Sequence, residues 1–345
     1  MTKAHQTTRS DGVYRSQLES KQRSPLRRFL HSPLFEPVLA VLVILIVVGS
    51  LYAYTDTWPP MVVVESGSMQ HGTNDVVGDI NTGDIVLVKS VSDPTTIPTY
   101  VDSEVSGFTS YGEYGNVLLY TAHDAAGNVI NNVPIIHRAI VYLNYTASGF
   151  SIPSVFPLAC PQQYAVVSPV GQQGCLSSPW QTERGMLILK NVGWQNVWVN
   201  ISLSSLYLQE PYSGYITMGD NNIAPGTRTG LYDQLACYPS CLVKPEWVVG
   251  VARGMIPWFG ALKLWIEGQS CISPTQCVPS QSWAYLALTI IAIIVIPQMA
   301  PWGFRHLRAR IRKRRTKGSK TEEASPSDSP PPTPDPPSGS EESPR

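Results

Sequence analysis

The sequence predicts a mainly β domain that carries a smaller inserted β-rich region and is anchored by two transmembrane helices. Three observations predict this. Two uncharged apolar runs, 37–54 and 283–300, stand towards the two ends of the 345-residue chain. Between them lie short β-branched runs separated by Gly, Pro and Asn turns, with no long amphipathic helix. All six cysteines and both N-x-S/T sequons fall in that same segment, the pattern of an exported, disulfide-forming domain.

The elements follow in order. Residues 1–34 are polar and basic, with Lys21, Arg23, Arg27 and Arg28 just before the first run. At about 1.5 Å per residue, a run of about 18 residues spans roughly 27 Å, close to the hydrocarbon thickness of a bilayer. Tyr52, Tyr54 and Trp58 mark the end of the first run, and Trp283 and Trp302 flank the second. A buried helix this long would show a polar face, and neither run has one. The anchors are therefore placed at 35–55 and 283–302. The first is too long for the h-region of a cleaved secretion signal and reads as an uncleaved anchor. Arg305, Arg308, Arg310, Arg312, Lys313, Arg314, Arg315 and Lys317 follow the second run. Positive flanks stay cytosolic, so both termini are expected inside the cell membrane and the middle segment outside. The zero net charge hides this asymmetry, because 55–282 holds 8 basic and 16 acidic side chains.

Strands are expected at 61–65, 83–89, 116–120, 133–143, 216–218 and 247–253, within a main β domain made of 56–144 and 213–265. The intervening 145–212, rich in Ser, Pro, Gln and aromatics, reads as an insertion or a second small β-domain, with strands at 186–192 and 196–203. Residues 303–345 are basic and then acidic and Pro-rich. From 321 they bury too little apolar surface to offset ordering, and they read as a disordered tail. Six cysteines permit 15 connectivities. The local pairs Cys160–Cys175, Cys237–Cys241 and Cys271–Cys277 are the expected ones. A metal site at Cys237-x-x-x-Cys241 lacks a second ligand pair at suitable spacing. Asn144 and Asn200 are candidate glycosylation sites.

Three short motifs carry chemistry. Glu65-Ser66-Gly67-Ser68-Met69 follows a strand that begins soon after the first membrane run. Pro134-Ile-Ile-His137-Arg138-Ala-Ile-Val-Tyr places a His in an apolar strand. Met218-Gly219-Asp220-Asn221-Asn222 is a turn after a strand. Each alone is an ordinary turn or a satisfied core His. Together they supply what a serine hydrolase needs: a hydroxyl, a base that titrates near neutrality, a carboxylate to orient it, and donors for an oxyanion.

The ordered blocks SGSM (66–69), GDIVLV (83–88), IIHRAI (135–140), GDNN (219–222) and VVGVARG (248–254) resemble the type I signal peptidases. The form is the archaeal and endoplasmic-reticulum one, with His where bacterial enzymes carry Lys. The resemblance covers about 60–260 and implies a signal-peptidase-like β fold and a membrane-bound serine endopeptidase. Its substrates would be preprotein signal peptides, cut after small residues at the outer membrane face. It implies Ser68 as nucleophile and His137 as general base. Ser66 and the Ser68 N–H would serve the oxyanion, and Met69 would pack beside the site. Asp220 matches the first family carboxylate. The second departs from the pattern: Gly226 stands at its usual place, and the next acid is Asp233 in Gly230-Leu-Tyr-Asp-Gln. Either a loop insertion has moved the acid to Asp233, or Asp220 acts alone. The Asp-Gln pair followed by Lys-Pro-Glu-Trp-Val-Val-Gly resembles archaeal members and favours Asp233. Membrane lipids and the protein-export channel are the implied partners, with no nucleic acid, cofactor or metal.

The remaining candidates read as ordinary. Lys89 ends a strand as a solvated side chain. His71 and His123 read as surface residues. The basic run 305–317 suits lipid headgroups. Trp58, Pro59, Pro60, Trp258 and Phe259 are the expected apolar rim that dips into the membrane interface. Without the resemblance, composition and spans fit a non-enzymatic, disulfide-bonded surface protein equally well.

Overall fold

The computed structural model describes residues 34–152, 185–237, 240–268 and 277–299, with the backbone of three short strands between 164 and 182. The basic N-terminus, the basic run after 304 and the tail lie outside the described residues. So do Cys160, Cys175 and Cys271. The chain to Tyr285 is one compact unit, and Leu286 onward is a second.

Helix α1 (Phe35–Thr55) has its apolar side chains exposed on all sides, as does helix α5 (Ser280–Met299) over most of its length. Both are long and apolar enough to cross a membrane. That exposure is unlike a core helix, which would bury such a surface. The C-terminal end of α1 is fixed to the β domain. The N–H of Ser90 donates to Thr55 O at 2.8 Å, and the Lys89 ammonium lies 4.8 Å from the Tyr54 ring centre.

Strands β1 (Met61–Val63) and β2 (Ile85–Lys89) are followed by helix α2 (Tyr100–Ser106). Next come a small hairpin, β3 (Thr109–Ser110) and β4 (Glu113–Tyr114), then β5 (Val117–Tyr120), β6 (Ile135–Tyr145) and β7 (Phe150–Ile152). Within 145–212 the chain adds β8 (Tyr164–Val167), β9 (Gln173–Gly174), β10 (Trp180–Thr182), β11 (Met186–Val192), β12 (Val197–Ser202) and helix α3 (Leu203–Gln209). Strand β13 (Gly214–Met218), strand β14 (Val248–Ile256) and helix α4 (Ala261–Ile266) complete the domain. Among the described residues an eight-stranded antiparallel sheet runs β1-β2-β14-β5-β6-β7-β10, with β13 also on β6. A second sheet runs β12-β11-β8-β9.

The expected strands coincide with β1, β2, β5, β6, β11, β12, β13 and β14, because each is a β-branched run bounded by turn residues. The three short helices α2, α3 and α4 were not legible, since six or seven residues give too few turns for a periodic pattern. α2 is set by a capping box in which Thr99 and Asp102 bond reciprocally. The insertion is not a separate domain. β7 and β10 extend the main sheet. Leu187, Leu189, Val199 and Ile201 of the second sheet share one core with Ile140, Leu143, Ile216 and Met218 of β6 and β13.

Strand β6 is the centre of this arrangement. It is buried from His137 to Val141, which explains why it reads as a near-continuous apolar run. Its one buried cation, Arg138, is 1% exposed. Gly115, at φ +81°, lets the chain pass close to the start of α2, since a Cβ there would lie 2.6 Å from Tyr100 N. The Gly115 carbonyl accepts from Arg138 Nη1 at 3.0 Å. Cys237 and Cys241 form a disulfide, and Cys277 is also disulfide-bonded. Asn144 and Asn200 are both exposed.

One buried group makes the fold pH-sensitive. No hydrogen bond reaches Glu104 Oε2 on α2 among the described residues, and burial pushes its carboxyl up to about 7. The folded chain thus holds this proton more tightly than the unfolded chain, whose carboxyl titrates near 4.5. Stability from this group is complete below pH 4.5 and falls as pH rises through 7. Thermal unfolding across that range is expected to show a declining midpoint, and Glu104→Gln to flatten the decline. An unchanged slope in the variant would remove Glu104 as its cause.

Candidate active site

Ser68 lies in a 3-10 turn (Gly67–Met69) that follows the extended Ser66. This turn comes at the end of the chain leaving β1. His137 is the third residue of β6, and its Nε2 stands 2.9 Å from Ser68 Oγ. Its Nδ1 stands 2.5 Å from Asp233 Oδ2. A carboxylate on Nδ1 makes that nitrogen the N–H donor and leaves the Nε2 lone pair for the serine hydroxyl. Ser68, His137 and Asp233 are therefore in line.

Asp233 is buried and held by further donors. Tyr120 Oη and Thr217 Oγ1 each donate to its Oδ2 at 2.7 Å. Burial and the neighbouring Asp233 charge push the Tyr120 phenol well up, so it stays a donor. The Asp233 N–H donates to Thr217 O, and Gln234 Oε1 accepts from Thr217 N–H, both at 2.8 Å. Asp233-Gln234 thus runs along the edge of β13. The chain reaches this edge through an excursion, closed by the Ile223–Gly230 bridge, with Gly226 in its bend at φ +71°. This excursion separates Asp233 from the GDNN turn along the chain.

Asp220 is placed elsewhere. It is bidentate with Arg138, at 2.8 Å from Nε to Oδ1 and 2.6 Å from Nη2 to Oδ2. Burial works to raise its carboxyl, but the guanidinium overrides this and holds it below the ordinary value. The structure brings Asp220 to Arg138 and His71, and not to His137. His137 and Arg138, consecutive on a strand, point to opposite faces, which is why two carboxylates serve two different neighbours.

Ser66 Oγ is 3.3 Å from Ser68 Oγ. The Ser68 N–H lies in the first turn of its 3-10 segment, where helical acceptors are lacking. Met69, next to Ser68 in the chain, is buried against Val64, Ile80, Val86 and Leu119. Asn221, to which the sequence assigns no role, holds this turn. Its N–H donates to Ser68 O at 2.8 Å, and its Nδ2 donates to Gly67 O at 3.0 Å. Only a long-range contact could reveal that.

Two expectations are corrected. His71 is no surface residue: it is 11% exposed, with Nε2 3.0 Å from Asp220 Oδ2 and Nδ1 3.3 Å from Asp79 Oδ1. His123 is buried and stacked on Trp247, centroids 4.0 Å apart. Both sit in polar sequence, which hides the tertiary partners that cover them. Of the expected apolar rim, Trp58 and Pro59 are exposed, Trp258 and Phe259 are half-buried and Pro60 is buried. Trp258 packs on Tyr285, and Trp265 and Ile266 of α4 are 70% and 77% exposed. Glu210 gathers with Cys237 and Cys241, but the disulfide removes the two thiolates a metal would need.

A cleft of about 560 Å³ opens onto Ser68 and His137. Val63, Val64, Ile130, Val133, Pro134 and Ile136 line it. Beyond β2, β1 has no strand partner among the described residues, and β6 pairs with β13 only from Arg138 onward. Both walls of the cleft therefore offer open strand edges.

The close packing generates a sharp expectation for Gly219. A Cβ there would lie 2.6 Å from Ser68 O and 2.9 Å from His137 Nε2. Gly219→Ala should separate nucleophile from base, with an overpacking cost of about 1–3 kcal/mol. Loss of covalent labelling at Ser68 in a protein that still melts cooperatively would bear this out, and full labelling would refute it. Comparison of the chain with models of protein families, with curated proteins and with solved structures finds no match.

Proposed function

We propose that this chain is a membrane-anchored serine endopeptidase of the signal peptidase type, removing signal peptides from exported preproteins. The observation that carries the reading is the alignment of Ser68, His137 and Asp233 at 2.9 Å and 2.5 Å, at the end of an apolar cleft. In this mechanism Ser68 Oγ attacks the scissile carbonyl as His137 Nε2 takes its proton. Asp233 stabilises the imidazolium and keeps its tautomer. The developing oxyanion is met by the Ser68 N–H and the Ser66 hydroxyl. His137 then gives its proton to the leaving amine. Water, activated by the same base, releases the acyl group and restores Ser68.

The cleft and its setting support this substrate class. An extended peptide can add its main chain to the open edges of β1 and β6, leaving alternate side chains to face the cleft wall. Apolar walls built from Val, Ile and Pro suit small apolar side chains next to the cut. The nucleophile lies only a short stretch of chain beyond α1, so peptide bonds emerging beside a membrane-held apolar segment reach it at high effective concentration. Exposed Trp58, Trp265 and Ile266 suit the lipid interface. Lys263 of α4 pairs with Glu65 of the cleft at 2.6 Å, which ties that helix to the substrate channel. In this reading both termini are cytosolic, the β domain is extracytoplasmic, and the export channel is the neighbour that delivers substrate.

The test is cleavage of a model preprotein by the full chain in proteoliposomes. Wild type is expected to cut after a small residue, and Ser68→Ala and His137→Ala to lose the activity. Asp233→Asn should lower kcat by about 10²–10⁴-fold while the protein stays folded. Asp220→Asn should act differently, leaving Arg138 buried and unpaired and lowering stability by about 3–5 kcal/mol. Undiminished cleavage by Ser68→Ala would sink the mechanism.

A further inference from the structure

The insertion's second sheet ends against the back of the site. The turn between β11 and β12 stacks Trp194 on the His71 ring, centroids 5.5 Å apart with planes inclined by 28°. The next residue, Gln195, donates from Nε2 to Asn221 Oδ1 at 3.4 Å. Asn221 is the residue that holds Gly67 O and Ser68 O. The other side of the turn is pinned by Tyr100, whose Oη accepts from Gly193 N–H at 3.1 Å. Along β12, Trp198 N–H donates to Arg228 O, and Trp198 O accepts from Gly230 N–H. The insertion thereby also holds the excursion that delivers Asp233.

His71 is the joint between these parts. Its two ring nitrogens face two carboxylates, Asp220 at 3.0 Å and Asp79 at 3.3 Å. A neutral imidazole has one N–H and can donate to only one of them, whereas the imidazolium donates to both. Asp220 in turn lies between Gly219, which packs on His137, and Asn221, which grips Ser68. Arg138 and Glu113 are the other charged groups around the ring, besides the two carboxylates.

We infer that protonated His71 is a positioning residue, clamping the insertion's 193–196 turn to the Asp220 turn behind Ser68, and that losing its proton slackens the active site. The inference rests on reading Ser68 as the nucleophile of a serine peptidase. Burial opposes the imidazolium and Arg138 repels it, but Asp220 and Asp79 outweigh both and hold the His71 proton above the ordinary 6.5. The clamp is therefore complete below pH 6.5 and fails as pH rises through the raised value. General-base action by His137 has the opposite requirement, since only a neutral imidazole accepts the Ser68 proton. The clamp therefore adds a limb on which acylation of Ser68 falls as His71 loses its proton.

Two measurements on the full chain in detergent test this. The first follows the rate of Ser68 acylation by a fluorophosphonate probe against pH. His71→Gln is expected to be slower by about ten- to a hundredfold and to lack the falling limb. Asp79→Asn should move that limb to lower pH. The second follows hydrogen exchange in 191–198 on Ser68→Ala protein, where chemistry is absent. Exchange, corrected for its intrinsic pH dependence, should step up as His71 loses its proton, and the step should vanish when His71→Gln is added. A falling limb unmoved in both variants, or exchange without a step, overturns the inference. Failure of wild type to acylate at any pH would instead strike the peptidase reading, and the exchange step would then decide the clamp alone.

Discussion

The arrangement depends on one buried ion pair. Arg138 is a full charge in the middle of the sheet, a position that costs several kcal/mol unless every donor is met. Nε and Nη2 go to Asp220, and Nη1 goes to the carbonyls of Ser110, Tyr114 and Gly115. Meeting those donors fixes three separate pieces of chain: the β3–β4 hairpin, the Gly115 bend and the 219–222 turn. Because Gly219 and Asn221 flank Asp220, the same pair sets the height of the Ser68 turn. Because His137 precedes Arg138, it also sets where the base emerges.

From that constraint the division of labour between two acids follows. Asp220 is taken up by Arg138 and His71 and does not reach His137. Asp233 faces only neutral donors besides His137, namely Tyr120 and Thr217. Its negative charge is thus available to an imidazolium. The 223–230 excursion separates the two acids along the chain, and β13 brings them to neighbouring sites. The insertion, which shares the core of the main sheet, supports the excursion through β12 and the Ser68 turn through Gln195 and Asn221.

Much of this is legible in the amino-acid sequence. Strand positions follow from β-branched runs between turn residues, and the two long apolar helices from length and lack of charge. His137 and Ser68 stand out because their motifs occur in a recognisable order. The short helices are hidden because six or seven residues carry no usable period. His71 and His123 mislead for another reason. Polar neighbours in sequence suggest exposure, but burial is decided by what packs on top, here Trp194 and Trp247.

The sequence by itself determined the alternation that makes the strands, the apolar runs, the confinement of the cysteines to one segment, and the residue types at the candidate site. These are local properties, written in spacing and side-chain chemistry. Only the tertiary structure decided that Asp233 meets His137 while Asp220 meets Arg138, that Asn221 holds the Ser68 turn, and that the 193–196 turn leans on the site. Those facts join residues from Ser68 to Asp233 that are far apart along the chain. They depend on sheet register, on which face of β6 each side chain takes, and on how buried charges find partners.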